Sequence, residues 1–297
     1  MKPKLILQPD QFSSFTSWYL EPLWNEYFDI EIYNNNQTYS KETLFLFWWR
    51  NARDPLARDL KDQGHKVVVD NLWEKHDPGL DCFYQLNNPN WFWYNESLWW
   101  QALGYDTYQP AKTYSKLGLM PIRNVNNDRD WIVQKIKPWA DNLLWSYRTQ
   151  KLPNDLIVDG EVNQRYVNYQ WYDDTCLSIV VETSQRANGI PMSEKSYKPC
   201  AFYHPMLIIG RPGVLELLKQ QGFVTFDNIF DESYDHETDF VRRVEMVLEN
   251  LNSAPRLYSA LTWEKLNHNR NHFFNKTLCR SGIVREIIEP LIEYAET

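Results

Sequence analysis

The sequence predicts an α/β fold of two lobes, each a mostly parallel sheet with helices on both faces, with a cleft between the lobes. Three observations predict it. Short apolar runs alternate with amphipathic stretches from the first residues onward, the pattern of repeated strand–helix–strand units. The alternation lapses between Gly104 and Lys116, where GYDTYQPAKTYSK is rich in Tyr, Pro and polar residues, and it restarts beyond that stretch. The 297 residues suffice for two units of ordinary domain size. The boundary is therefore drawn after residue 110: an N-terminal lobe of 1–110, and a C-terminal lobe of 111–297 that includes the C-terminal helices.

The elements follow in order. Lys4–Gln8 reads as a buried strand, Ser14–Phe28 as a helix and Ile30–Tyr33 as a brief strand. Leu44–Trp49 is strand-like, and Arg53–Gln63 is a helix stopped by Gly64. His65–Leu72 is β-branched and bounded by that glycine, the clearest strand of this half. In the second half Leu117–Arg123, Asn142–Tyr147, Cys176–Glu182 and Pro205–Gly210 read as strands. Asp128–Lys137, Gly213–Gln221, Thr238–Asn250 and Ile283–Ala295 read as helices, and Arg148–Asp174 as a long loop. Two Rossmann-like lobes result, and ligands of such sheets sit beyond the carboxyl ends of the strands.

Composition narrows the function classes. A net charge of −8 without any Lys/Arg run disfavours tight, sequence-independent nucleic-acid binding. Cys82, Cys176, Cys200 and Cys279 are far apart and form no CxxC pair, so neither a zinc ribbon nor a thioredoxin-type motif is available; reduced thiols are expected. The apolar run in MKPKLILQPD is too short for a signal peptide, and no stretch approaches the length of a membrane span. A soluble, cytoplasmic protein is the expectation. Aromatic residues make up 15%, which suits ligand stacking as well as an aromatic core. Trp91, Trp93, Trp99 and Trp100 are candidates to stack on a sugar, but the alternation in NWFWY equally fits a half-buried strand, and the core reading is preferred for at least two of them.

The block from Leu177 to Gly213, LSIVVETSQRANGIPMSEKSYKPCAFYHPMLIIGRPG, has a chemical logic. A hydrophobic strand ends in Glu182 at the rim of the sheet. Ser193 is placed to N-cap a helix with Glu194 and Lys195 in its first turn. A helix N-terminus beside a lysine suits a diphosphate, and a nearby carboxylate suits the paired hydroxyls of a ribose. The next strand ends in GRPG, a turn that lets backbone approach a ligand. The acidic cluster Asp231, Glu232 and Asp235 reads as an ordinary polar loop, and no metal site is expected.

VVETS, PMSEKSYKP and HPMLIIGRPG together resemble the donor site of the α1,3-fucosyltransferases. The resemblance covers this block and its immediate flanks; Thr183 stands where the family has Asn, Tyr197-Lys198-Pro199 departs from its smaller residues, and the N-terminal lobe shows no match. It implies the two-lobed fold called GT-B and a metal-independent, inverting transfer from a nucleoside-diphosphate sugar, with GDP-fucose one candidate donor. By the resemblance Glu194 binds the ribose, Lys195 the diphosphate, and Glu182 shapes the same pocket. An arginine from an earlier strand–helix turn reaches the phosphates; Arg123 and Arg129 in PIRNVNNDRD both occupy such a turn, and Lys198 completes the candidate set.

An inverting transfer also needs a base for the acceptor hydroxyl, supplied in this architecture by the N-terminal lobe. Glu74 follows the strand HKVVVDNL, Asp10 follows the first strand, and Glu96 lies in an aromatic-rich helix after NWFWYN; the candidates rank in that order. The acceptor is expected to be a saccharide or another hydroxyl compound. Two alternatives stay open: a DNA-modifying glycosyltransferase of viral type, and a non-catalytic glycan- or nucleotide-binding protein.

Overall fold

The computed structural model describes residues 2–7, 22–48, 55–70, 82–86, 88–152, 157–158, 161–162, 167–182, 192–252 and 259–297. The chain divides into two compact units, residues 1–95 together with 276–297, and residues 96–275. Each is α/β with a parallel sheet, as the sequence predicts.

The first unit contains β1 (Lys4–Leu7), α1 (Pro22–Tyr27), β2 (Asp29–Ile32), β3 (Leu44–Trp48), α2 (Pro55–Asp62), β4 (Lys66–Asp70), β5 (Tyr84–Leu86) and the start of α3 (Trp91–Ala102). Its strands run in the order β2-β1-β3-β4-β5, all parallel. Ile6, Phe45, Phe47, Val67 and Val69 cluster with Ala57 and Leu60 of α2, while Leu5, Leu44, Leu46 and Val68 between them are buried too. Burial of both faces explains why KLIL, LFLFW and KVVVD are unbroken apolar runs rather than alternating ones.

The segment NWFWY is helical, not a half-buried strand. Asn88 accepts from the Asn90 amide at 2.7 Å and turns the chain ahead of α3. Trp91, Trp93 and Trp100 are then all buried, as befits a helix apolar on every side. Trp91 meets Trp24 edge-on, and Trp100 packs on Phe202 and Phe273. These tryptophans belong to the core.

The second unit contains β6 (Lys116–Pro121), α4 (Asn127–Lys135), β7 (Leu143–Ser146), a hairpin of β8 (Ile157–Val158) and β9 (Glu161–Val162), and α5 (Gln170–Asp174). It continues through β10 (Thr175–Val181), α6 (Glu194–Ala201), β11 (Met206–Ile209), α7 (Val214–Gln220), α8 (Phe240–Glu249) and α9 (Ala260–Phe273). The sheet order is β11-β10-β6-β7, all parallel. The first strand, β6, is thus flanked by the second and third, and the order reverses between β6 and β10. Where a long loop was expected, the structure has the β8–β9 hairpin and α5, whose Tyr172 and Asp173 are buried.

The division between units differs from the boundary read in the sequence. It falls inside α3, between Asn95 and Glu96. Residues 96–115 join the second unit because its groups satisfy their backbone. Arg270 of α9 donates to the carbonyls of Tyr105, Asp106 and Tyr108, and Asp173 accepts from the Ala111 amide at 2.8 Å and from the Tyr108 hydroxyl. The C-terminal helices α10 (Lys276–Ile283) and α11 (Glu289–Glu296), joined by a π-helical turn at Val284–Ile288, group with the first unit rather than the second. Glu286 accepts from Asn88, Asn90 and Tyr94, Lys66 Nζ donates to the Ala295 carbonyl, and Tyr294 stacks on Tyr84 at 4.5 Å. Amphipathicity tells that a helix has a face to bury, not which partner receives it. Among the described residues no helix is long and apolar enough to cross a membrane.

Candidate functional site

The reversal of strand order in the second unit is where an open α/β sheet leaves a crevice beyond its strand ends. A pocket of about 160 Å³ lies there. Its floor comes from the last residues of β6 and β10, including Pro121 and Val181. One wall is the first turns of α6, with Glu194, Lys195, Lys198 and Pro199; the other is the turn after β7, from Ser146 to Leu152. Trp171 and Tyr172 of α5 also line it.

The α6 wall is built from beneath. Glu182 follows β10, is fully buried, and accepts from the Ser193 amide at 2.9 Å, the Ser193 hydroxyl at 2.7 Å and the Ser196 hydroxyl at 2.7 Å. Ser193 in turn N-caps α6, its Oγ accepting from the Lys195 amide, as the sequence predicts. A buried carboxylate with several donors is the condition for keeping such a charge inside a protein. Glu182 therefore acts on the pocket indirectly, by fixing where α6 begins.

Lys195 reaches back over that start. Its Nζ donates to Ser193 Oγ at 2.9 Å and pairs with Glu194 at 3.1 Å. Burial alone would push the Glu194 carboxyl up; Lys195 and Lys198 outweigh it and hold the group below the usual carboxylate range. At the working pH the wall presents an ionised carboxylate between two ammonium groups, at the positive end of a helix. Anionic oxygens and vicinal hydroxyls can both be bound there.

The two candidate arginines separate. Arg123 is exposed, at the pocket rim just past β6. Arg129 lies in α4, 1% exposed, and donates to the carbonyls of Asn124 at 2.9 Å and Glu182 at 2.9 Å. Burial lowers its pKa, and the Glu182 charge opposes that shift. Its guanidinium is engaged with the chain beyond β6 and β10, whereas Arg123 is among the residues that line the pocket.

The turn after β7 contributes charges that the sequence reading passed over. Tyr147 and Gln150 pair as a tight bridge, and Arg148 between them has φ 52°, a left-handed conformation that costs a residue with a side chain about 1–2 kcal/mol. Asp130 holds it there, accepting from Arg148 Nη2 at 2.7 and 2.9 Å, from Nε at 3.1 Å and from the Tyr147 hydroxyl at 2.8 Å. Lys151 follows on the same wall. The available signal was the run RTQK standing directly after a strand, the position that had drawn attention to Arg123 and Glu182.

Several other expectations resolve into structural roles. His204 below the floor is fully buried; its Nδ1 accepts from the Ser178 hydroxyl at 2.9 Å while Nε2 faces the carbonyls of Tyr172 and Thr175. Burial holds its pKa well down, so it stays neutral. In the GRPG turn Gly213 has φ 81° and caps α7, and the Gly210 carbonyl accepts from Arg243. Asp235 accepts from the Leu215 and Glu216 amides, Glu232 from Thr225 and Phe226, and Asp231 caps a 3₁₀ turn; the acidic cluster pins loops. Of the candidate bases, Glu74 and Asp10 lie outside the described residues, and Glu96 is 5% exposed within α3.

No family model matches the sequence, and no curated protein matches it. Among solved structures the chain is similar to a crystal structure of an α1,3-fucosyltransferase, with a TM-score of 0.51 and 13% identity over 93% of this chain and 89% of that one. At that identity the likeness establishes the fold: two parallel-sheet units of the GT-B type.

Proposed function

We propose that the protein is a glycosyltransferase that holds a nucleoside-diphosphate sugar in the pocket of its second unit and passes the sugar to a hydroxyl acceptor, most simply a saccharide. One observation carries the reading. A protein of net charge −8 gathers Arg123, Arg148, Lys151, Lys195 and Lys198 around a single crevice at a strand-order reversal, with Glu194 set among them. Lys195 and Arg123 bind the diphosphate, Lys198 supports them, and Glu194 accepts from the ribose hydroxyls. Trp171 and Tyr147 offer apolar surface to the nucleoside.

In the transfer the bond between the sugar and the diphosphate breaks, and negative charge grows on the leaving oxygen. Fixed cations stabilise that charge without reorganising, and they supply what a divalent ion supplies elsewhere. The reaction is inverting, with a carboxylate taking the acceptor proton; Glu74 and Asp10, in the first unit's stretch of chain, remain the candidates together with Glu96, which the structure groups with the second unit. The four cysteines are free thiols, which suits a reducing, cytoplasmic setting.

The test is a thermal-shift screen of nucleoside diphosphates and their sugars, with EDTA present, on wild type and Lys195→Ala. Binding raises the melting temperature by mass action. A shift with one nucleotide class, lost in the variant, supports the reading and names the donor; no shift with any nucleotide overturns it.

A further inference from the structure

With Glu194 and Asp130 set against Arg123, Arg148, Lys151, Lys195 and Lys198, the pocket still holds about one positive charge more than a diphosphate ester balances. A diphosphate ester carries one negative charge on each phosphorus, and the α6 wall with Arg123 already provides Lys195, Lys198 and an arginine for them. The opposite wall adds a second cationic arm. Arg148 is kept in a left-handed conformation by its two-pronged pairing with Asp130, which Tyr147 also supports. That pairing uses Nε and Nη2, and the guanidinium lies against the Tyr147 ring at the pocket wall. Lys151 beside it makes no ion pair with a described residue. A side chain locked by a second layer of contacts is the arrangement expected of a positioning element, and a backbone outlier at a pocket rim points the same way. The surplus is local, since the chain as a whole is acidic.

From this, and resting on the donor reading above, we propose that the donor carries a third anionic group besides its diphosphate, and that Arg148 and Lys151 hold it. The group is a carboxylate on the transferred sugar or a phosphate on the ribose. Either matches an arginine edge and an adjacent ammonium, and a neutral hexose donor matches neither.

Calorimetric titration distinguishes these sources. UDP-glucose is compared with UDP-glucuronic acid, GDP-mannose with GDP-mannuronic acid, and ADP-ribose with its adenosine 2′-phosphate, on wild type, Arg148→Gln and Lys151→Gln. Both residues are exposed, the glutamine of Arg148→Gln keeps an amide able to donate to Asp130, and the melting temperature of each variant checks that the turn is kept. The acidic member of one pair is expected to bind about tenfold more tightly than its neutral partner. That gain, read as the ratio of affinities within a pair, is expected to collapse in both variants. A gain in a sugar pair assigns the anion to the sugar, and a gain in the adenosine pair assigns it to the ribose. Equal affinity within every pair, or a gain that survives Arg148→Gln, overturns the proposal while leaving the donor reading intact. Failure of every nucleotide to bind removes the donor reading itself.

Discussion

At the scale of residues, the candidate site divides into groups that meet the pocket and groups that hold it in place. Glu182 belongs to the second kind, and its role can be separated from that of Lys195 by experiment. Glu182→Gln replaces an acceptor of three hydrogen bonds by a group that cannot accept all of them, and it leaves Ser193 or Ser196 unsatisfied in the interior. It is expected to cost about 2–4 kcal/mol in chemical denaturation of the apo protein, whereas Lys195→Ala should weaken nucleotide binding and leave the apo stability nearly unchanged. Equal apo stabilities of the two variants would refute this division. Lys112 gives a second prediction. Its Nζ donates to the Tyr172 carbonyl at 2.8 Å, with Asp173, Cys176 and His204 around it, and burial lowers its pKa to about 7 against the opposing pull of Asp173. The folded state then binds fewer protons than the unfolded one from about pH 7 to the unfolded pKa near 10.4. Stability should rise with pH across that window, by at most about 1.4 kcal/mol per pH unit. Lys112→Met should flatten the rise, measured as urea midpoints from pH 6 to 10, and an unchanged slope would remove Lys112 as its cause.

The same residue-level distinction limits what a sequence reveals. That Lys195, Lys198, Glu194 and Arg123 stand around one pocket was legible because helix starts and strand ends are visible as capping residues and the limits of apolar runs. Arg123 and Arg129 stood equal, since burial against the end of β10 depends on a strand far along the chain. Arg148 and Lys151 were read as the opening of a loop, because the bridge between Tyr147 and Gln150 leaves no pattern in those four residues.

Among elements, the long apolar strands were the most legible. TCLSIVV and MLII have the length and unbroken apolar character of strands buried on both faces, and they pair as β10 and β11. Helix α3 misled through its alternating aromatics, and α5 is too short to show a helical period. Helix α10 carries a prediction of its own. At Gly282 an added Cβ would fall within the ring of Tyr94, so the glycine is there for close approach rather than for backbone freedom. Gly282→Ala is expected to destabilise the first unit by about 1–3 kcal/mol, read from the tryptophan fluorescence of Trp24 and Trp91 during urea unfolding. A change within a few tenths of a kcal/mol would mean that Tyr94 moves aside without penalty.

For the whole molecule, the fold class and the presence of two sheets followed from strand–helix alternation, while the membership of the last helices did not. Nothing in Ile283–Ala295 says that its apolar face meets Tyr84 and Lys66 rather than the sheet that precedes it in the chain. The division predicts the outcome of truncation. Ending the chain after Asn275 removes Glu286 from Asn88, Asn90 and Tyr94, and Tyr294 from Tyr84. The first unit should then lose its cooperative transition in calorimetry, and the second should keep its own together with nucleotide binding. A single unchanged transition would show the two units to be one cooperative body.

The return of α10 and α11 to the first unit also sets an order of events on the ribosome. A chain emerges at about 5–20 residues per second, and domains that are contiguous in sequence ordinarily fold in the order of their synthesis. Here β1 to β5 leave the tunnel first, yet the helices that supply Glu286 and Tyr294 emerge only after the entire second unit has been made. The second unit can reach its native state first, while the earlier sheet waits with its partner surface uncovered. The first unit's sheet is therefore made before the second unit but completed after it.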